Sequence, residues 1–124
     1  MSLVNIRRLC AIAELEFGDI VSEAFPGVNE LRLVLVDGSL VDVWFSLKLV
    51  ERYSYHWERR ALDGTIYRHD NAPHKRWQAV PTFPRHYHDG SEGHVFASEL
   101  SDQPEQALRQ FLSFARARLG APQA

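Results

Sequence analysis

Residues 53–88, YSYHWERRALDGTIYRHDNAPHKRWQAVPTFPRHYH, decide how this chain folds. The first half of the stretch is rich in aromatic residues, which favour β-strands, and prolines interrupt any regular central strand beyond Asn71. The stretch also contains five of the six histidines of the chain, namely His56, His69, His74, His86 and His88. Because imidazole titrates nearest to neutral pH, such a cluster indicates either a reactive centre or a set of ligands.

Two strands and a long loop are predicted within this stretch. One strand is expected over residues 50–60, a hairpin turn at Asp63-Gly64, and a second strand at Thr65–Asp70. Residues 71–92 are predicted to form a loop. Loops of this length in a compact domain are usually functional or disordered, and the aromatic residues of this one predict that it is ordered and packed.

The N-terminal part of the chain predicts one helix and one hairpin. Apolar residues recur near a 3.6-residue period and predict a helix over residues 3–24, ended by Pro26-Gly27. Strands are expected at residues 30–36 and 40–47. Asp37-Gly38, which joins them, is a strong signal for a two-residue hairpin turn.

The C-terminal part predicts a short fifth strand at residues 94–98 and a last helix. Asp102 is expected to cap that helix, Pro104 lies in its first turn, and Gly120 ends it. Consecutive hairpins build an antiparallel sheet. The sequence therefore predicts an α+β fold, with an antiparallel four- to five-stranded sheet of consecutive hairpins flanked by an N-terminal and a C-terminal helix, in a single domain of residues 1–124.

Charge is distributed unevenly along the chain. The formal net charge is −2, yet residues 52–88 carry seven lysines and arginines against three aspartates and glutamates. The segments on both sides are acidic. The basic segment is therefore suited to attracting phosphates, or to pairing with the acidic helices around it.

Nothing in the sequence predicts contact with a membrane. No apolar run approaches the roughly 20 residues that span a bilayer, and acidic residues interrupt the apolar positions of the N-terminus, which argues against a signal peptide. The single Cys10 has no partner for an internal disulfide and lies on the apolar side of the first helix, which predicts a buried, inert thiol. We expect a cytoplasmic protein.

The turn of the central hairpin decides which side chains share a face, since residues alternate between the two faces of a sheet. A two-residue turn at Asp63-Gly64 places His56 on the same face as His69. A three-residue turn with a glycine bulge places His56 with Arg68 and Asp70 instead. Both turns are common, and the sequence leaves the choice open.

The loop is expected to bring further histidines to the end of the sheet. A turn after the strand would carry His74 back over it. Residues that precede prolines favour extended backbone, so His86 and His88 should point the same way, on a segment stiffened by Pro81 and Pro84.

The residues of this stretch suit metal-independent cleavage of a phosphodiester. Cleavage of RNA needs a base for the ribose 2′-hydroxyl proton, an acid for the leaving oxygen, and a cation for the charged intermediate. Histidine serves as base and acid, arginine suits the phosphate, and Asp70 is placed to orient a histidine. The candidates are His56, His74, His86 and His88, with Arg68 and Arg85 as cations.

Two other interpretations stay open from the residues alone. His86 and His88, with His74 and Asp70, offer a set of zinc or iron ligands, although no HExxH motif, paired CxxC or second cysteine accompanies them. Alternatively, the histidines are structural and form hydrogen bonds in an ordered loop.

Three motifs carry a resemblance to a known family: YSYHW at 53–57, RHDNAPH at 68–74 and TFPRHYH at 82–88. In this order and spacing they resemble the TumE family of toxins from toxin–antitoxin modules, over a region that runs from Leu35 to His88. The resemblance implies a small toxin that a helix-turn-helix antitoxin protein neutralises.

The resemblance also implies roles for individual residues. The implied catalytic residues are His56, Arg68, Asp70, His74, His86 and His88. The residues expected to bind the substrate are Asn71, Lys75 and Arg85. The family usually has tyrosine where His69 stands and often has histidine where Lys75 and Arg85 stand. This chain therefore has fewer metal ligands and more positive charge, which favours phosphate chemistry over metal binding.

We therefore expect a toxin that acts as a histidine-based, metal-independent endoribonuclease on RNA, without a cofactor but with a divalent metal left open. His74 or His86 is expected to be the base, and His88 or His56 the acid. The alternatives are a non-catalytic toxin that binds nucleic acid or a protein, and a metal-dependent hydrolase. A homodimer through a sheet edge or the first helix is a further prediction.

Overall fold

The computed structural model describes residues 4–120, which form three α-helices, one 3₁₀ turn and seven strands. The helices are α1 (Ile6–Glu16), α2 (Arg60–Asp63) and α3 (Pro104–Leu119), and the 3₁₀ turn is Lys75–Trp77. The strands are β1 (Val21–Pro26), β2 (Glu30–Leu35), β3 (Leu40–Phe45), β4 (Tyr53–Arg59), β5 (Thr65–Asp70), β6 (His86–Gly90) and β7 (Val95–Ala97). Each strand pairs antiparallel with the next, so the spatial order follows the chain.

This architecture confirms the α+β class, the antiparallel sheet of consecutive hairpins, and the flanking N- and C-terminal helices. The predicted number of strands is wrong, because the sheet has seven strands and not four to five. Both additional strands come from segments that the sequence pattern assigns to another structure.

The first additional strand, β1, comes from residues predicted to be helical. The helix predicted over residues 3–24 begins only at Ile6 and ends at Glu16, and residue 3 itself lies outside the described residues. Gly18 lies in the turn that follows, where an added Cβ would come within 2.9 Å of the Glu14 carbonyl oxygen. The spacing of the apolar residues beyond Gly18 is compatible with a helix or with a strand. They form a strand because pairing with β2 provides hydrogen-bond partners for their backbone groups.

The second additional strand, β6, lies inside the predicted loop of residues 71–92. Beyond Pro84 every backbone N–H is again free to join a ladder, and His86–Gly90 pairs with β5 in a register that places His86 opposite Asp70. The irregular segment is therefore residues 71–85. The predicted fifth strand at residues 94–98 is present as β7.

The central hairpin has neither of the two turns expected from the sequence. Residues 60–64 join β4 to β5 through the single helical turn α2, which ends at Gly64 in the left-handed conformation (φ 80°). In the resulting register His56 lies opposite Arg68. The shared face is the one predicted from the three-residue turn, although the register is different.

Apolar side chains on one face of the sheet pack against α1 and α3. Trp57 and Phe111 are almost completely buried between the layers, and the Tyr55 and Phe111 rings lie 6.1 Å apart. Removing these large apolar surfaces from water is the main stabilising contribution.

Pro104 begins α3 as predicted, but the predicted cap is wrong. The residue at the cap position is Gln103, and the Asp102 carboxylate accepts a hydrogen bond from Arg85 at 2.8 Å instead.

The other face of the sheet is polar. Arg32, Asp42, His56, Arg68 and His88 are successive cross-strand neighbours from β2 to β6. A second row, beside the first, includes Asp70 and His86. The register of the sheet therefore gathers the predicted site residues on the face away from the helices.

Candidate functional site

The centre of the site is a buried cluster of Asp70, His86 and His88. Asp70 is the last residue of β5 and His86 the first of β6, so the strand register brings them together. His88 follows on the same face of β6, as predicted from the extended segment. His86 is fully buried, and His88 and Asp70 are 3% and 9% exposed. Three polar side chains are therefore held together beneath the surface.

Backbone carbonyl groups set the tautomer of both histidines. His86 Nδ1 lies 2.8 Å from the Pro84 oxygen, and His88 Nδ1 lies 2.9 Å from the Glu92 oxygen. A carbonyl oxygen only accepts hydrogen bonds, so each Nδ1 must carry a proton and donate it. In the neutral imidazole, Nε2 then presents a lone pair.

Both Nε2 atoms face the Asp70 carboxylate. His86 Nε2 lies 3.2 Å from Asp70 Oδ1, and His88 Nε2 lies 3.7 Å from Asp70 Oδ2. His86 Nε2 and Asp70 Oδ1 are close enough for a hydrogen bond, but their relative orientation does not allow one. His86 Nε2 is therefore a buried nitrogen without a hydrogen-bond partner among residues 4–120. Buried polar atoms are rarely left unpaired, so this nitrogen requires an explanation.

Arg68 connects the cluster to the surface. Its Nε donates to Asp70 Oδ2 at 2.9 Å, and its terminal nitrogens donate to both carboxylate oxygens of Glu92. Burial opposes the charge of Arg68, but the hydrogen bonds to Glu92 and Asp70 outweigh it and raise the Arg68 pKa. The same contact lowers the pKa of Glu92, whereas burial lowers that of His88. Arg68 and Glu92 therefore form a charged rim beside the His88 imidazole, whose neutral form burial favours.

His56 belongs to this rim and not to the buried centre. Its Nε2 lies 3.1 Å from Glu58 Oε1, and its Nδ1 lies 3.4 Å from Arg68 Nη1. Since arginine only donates, His56 Nδ1 accepts and Nε2 carries the proton, which is the opposite tautomer from His86 and His88. Hydrogen bonds from Arg60 hold the Glu58 pKa at about 2, so this partner is a carboxylate at neutral pH.

The irregular segment of residues 71–85 covers the cluster. The Trp77 ring centroid lies 6.1 Å from that of His86 and 5.8 Å from that of His88. The Arg76 guanidinium lies over the Trp77 indole, 4.4 Å from its centroid. The loop is therefore ordered and packed, as its aromatic residues predict.

His74 and Lys75 lie at the start of the 3₁₀ turn, and both are exposed. Within residues 4–120, neither side chain forms a hydrogen bond or ion pair with the cluster. The predicted turn that would carry His74 onto Asp70 is thus not present in this conformation.

Asn71 and Arg85, predicted to bind substrate, hold other parts of the chain. Asn71 bonds to the backbone of Tyr53 and Glu51, and Arg85 bonds to Leu100 and Asp102. Both line a cavity of about 820 Å³ at the end of the sheet. The buried Tyr53 hydroxyl, which also lines it, has no hydrogen-bond partner within the described part of the chain.

His69 lies on the opposite face, among the core aromatics. Its ring stacks on Tyr87 at 4.4 Å, and its Nδ1 contacts the Ser98 hydroxyl at 2.7 Å. Burial lowers the His69 pKa to about 4, so this histidine is neutral at physiological pH. His69, the one central histidine left out of the predicted site, therefore packs in the core.

Sequence reasoning missed Glu92 and Trp77. Glu92 follows His88 by four residues, across the turn after β6, and only the hairpin between β6 and β7 brings it to Arg68. Trp77 is among the aromatic residues from which an ordered loop is predicted, but its position over His86 and His88 is not. An acidic residue shortly after the His86-x-His88 pair is the one signal in the sequence that points to Glu92.

Comparisons with known proteins identify one family. The family model described as Toxin TumE matches residues 11–119, which is most of the chain. No curated protein and no solved structure matches this sequence. Within residues 4–120, no helix has the length and apolar character required to cross a membrane.

Proposed function

This chain belongs to the TumE family of toxins, and we propose that it is the RNA-cleaving toxin of a toxin–antitoxin module. The observation that supports the proposal is the convergence of Arg68, Asp70, His86 and His88 on one face of the sheet. Neutral imidazole, carboxylate and guanidinium are the groups that phosphodiester cleavage uses.

The proposed reaction is transfer of the phosphoryl group within RNA. A base takes the proton of a ribose 2′-hydroxyl, the resulting oxygen attacks phosphorus, and the 5′-oxygen leaves with a proton from an acid. His88 and His56 border Arg68 on either side in the cross-strand row, so both are placed near a phosphate held there. His74 reaches this phosphate in our proposal only if residues 71–85 close further over bound RNA.

RNA would approach the rim of the cluster. The Arg68 side chain is 21% exposed and its partner Glu92 is 54% exposed, whereas the histidines behind them are covered by Trp77. A phosphate can form the same bidentate pair with arginine that a carboxylate forms. We therefore propose that it displaces Glu92 from Arg68.

The proposed partners follow from the family. The toxin has an antitoxin partner, and we propose that this partner is a helix-turn-helix protein. The edges of the described sheet are β1 and β7, and a homodimer through one of them or through α1 stays a prediction.

Incubating the purified chain with RNA, with and without divalent metal, tests the proposal. Wild type is expected to cleave RNA, and Asp70→Asn and His88→Gln are expected to lose at least about 100-fold in rate, the scale of general acid–base catalysis. His94→Gln is the matched control, because His94 is exposed and lies outside the cluster. Intact RNA under every condition would refute the ribonuclease.

Growth arrest on expression separates this function from non-catalytic binding. A ribonuclease loses toxicity when Asp70→Asn is introduced while the protein stays folded, and the cognate antitoxin suppresses the wild-type arrest. If growth arrest is undiminished in the folded Asp70→Asn and His88→Gln variants, the toxin acts by binding and not by cleavage.

A further inference from the structure

We propose that Asp70, His86 and His88 form the binding site of a divalent transition-metal ion. The donor atoms are one Asp70 carboxylate oxygen and the two Nε2 atoms, which lie within 4.8 Å of one another on one buried surface. The metal would be a cofactor of this centre. In the metal-bound state His88 would be a ligand and not an acid or base, which leaves His56 for proton transfer. Metal binding can be measured without RNA, and only the catalytic use of the metal rests on the proposed ribonuclease.

The hydrogen bonds around the three side chains match those of metal ligands. A histidine that binds a metal through one nitrogen almost always donates its other N–H to a carbonyl or carboxylate. His86 and His88 do so to the carbonyl oxygens of Pro84 and Glu92. The Asp70 carboxylate is likewise oriented, by Arg68 Nε on Oδ2 and by the Ala72 backbone N–H on Oδ1.

The unpaired His86 nitrogen points to a missing electrophile. Its lone pair lies 3.2 Å from a carboxylate oxygen, which also offers only lone pairs. Such an arrangement is repulsive unless a proton or a metal ion lies between the two atoms. A metal ion meets this condition for both imidazoles and the carboxylate at once.

The separations suit coordination with little rearrangement. Metal–ligand bonds of about 2.0–2.1 Å at tetrahedral angles place neighbouring donor atoms about 3.3 Å apart. His86 Nε2 lies 3.2 Å from Asp70 Oδ1 and His88 Nε2 lies 3.7 Å from Asp70 Oδ2, and with a single carboxylate oxygen as ligand all three donor atoms lie within 4.8 Å of one another. Each Asp70 oxygen keeps one lone pair beyond its hydrogen bond, so neither Arg68 nor Ala72 has to be displaced.

The charge of the centre favours a cation. Among its ionised side chains, Asp70 and Glu92 outnumber Arg68, which gives these groups a formal charge of −1. A bound dication would change this charge to +1, which would strengthen the attraction of an RNA phosphate to Arg68.

The donor set also selects the kind of ion. Two imidazoles with one carboxylate suit zinc, iron, cobalt or nickel, whereas magnesium and calcium prefer oxygen donors. Three protein ligands leave at least one coordination position for water or substrate, which is the pattern of catalytic and not structural sites.

Metal titration of the untagged, chelator-treated full chain tests the site. Zinc is measured by calorimetry, cobalt by its visible absorption, and magnesium serves as the oxygen-preferring comparison. We expect one zinc or cobalt ion per chain, a chelator-reversible rise in the thermal unfolding midpoint, and much weaker magnesium binding. Asp70→Asn and His88→Gln should each weaken zinc binding at least about 100-fold.

Two control variants exclude other binding positions. His94→Gln removes an exposed histidine by the same substitution as His88→Gln, and Cys10→Ser removes the only thiol of the chain. Both variants are expected to bind zinc within about twofold of wild type, because His94 and Cys10 lie outside the proposed site and substitutions at distant positions act independently. Circular dichroism confirms folding, and the nearly isosteric Asp70→Asn is decisive if His88→Gln unfolds.

Absence of stoichiometric binding of zinc, iron, cobalt or nickel to the wild type would overturn the proposal and leave an Asp70–histidine ion pair. Loss of binding in His94→Gln or Cys10→Ser would overturn it equally. If the site binds metal while RNA stays intact, the ribonuclease fails and the metal site is upheld. If chelated protein cleaves RNA at the full rate, the ribonuclease is upheld and the catalytic use of the metal fails.

Discussion

Replacing Asn71 by alanine is expected to destabilise the fold and not to remove a substrate contact. Its Oδ1 accepts a hydrogen bond from the Tyr53 N–H at 2.9 Å, and its Nδ2 donates to the Glu51 carbonyl oxygen at 2.7 Å. Glu51 has a positive φ of 64°, which is unusual for a residue with a side chain. Asn71 thus fastens the connection between β3 and β4 to the end of β5.

The expected loss follows from these two bonds. Each contributes about 0.5–1.5 kcal/mol net, and the Glu51 contact is exposed enough for water to replace part of it, so Asn71→Ala should cost about 1–2 kcal/mol. Asn71→Asp keeps the acceptor for Tyr53 but removes the donor and places a carboxylate against the Glu51 oxygen. It should therefore cost at least about 1 kcal/mol.

Urea unfolding followed by fluorescence measures the free energy of unfolding, with a lower midpoint and an unchanged slope expected for both variants. Lys75→Ala is the control, because this exposed side chain should change stability by less than about 0.5 kcal/mol. RNA affinity is measured on the same proteins. An Asn71→Ala protein as stable as wild type that has lost RNA affinity would refute the structural role and restore substrate binding.

Three further predictions concern the scaffold. Phe111→Ala should lower the free energy of unfolding by about 3–5 kcal/mol, because the buried ring leaves a cavity, whereas the half-exposed Phe96→Ala should cost far less; equal losses in urea titrations would contradict this packing. Ser39→Ala should cost about 1–3 kcal/mol, since the buried Trp57 N–H loses its acceptor at 2.8 Å, and an unchanged unfolding midpoint would show that this bond contributes nothing. Cys10 is partly and not fully buried, unlike the predicted thiol, but desolvation and the neighbouring Glu14 still raise its pKa to about 11, so its thiolate fraction is small at pH 8. Alkylation by iodoacetamide at pH 8 should be on the order of 100-fold slower than in urea, and equal rates would refute the inert thiol.

Local signals determined those parts of the fold that depend on neighbouring residues. Asp37-Gly38 predicts the hairpin between β2 and β3, and Pro104 marks the start of α3. The predicted two-residue turn is wrong, however, because Leu35 pairs with Ser39 and leaves three residues in the connection. Residues 17–24 were assigned wrongly to the first helix, because their apolar spacing suits a helix or a strand and only pairing with β2 decides between them. β6 was not predicted for a similar reason. The prolines before it indicate a loop, and only pairing with β5 stabilises the strand.

The sequence by itself determined that His86 and His88 share one side of an extended segment, and that a basic, histidine-rich stretch lies between two helices. Only the tertiary structure decided which histidines meet Asp70. That choice depends on strand register, because a shift of β5 by one residue would turn Arg68 and Asp70 to the face opposite His56, His86 and His88. Register is set by α2 and by burial of the Trp57 face against the helices, which are contacts between residues far apart in the chain.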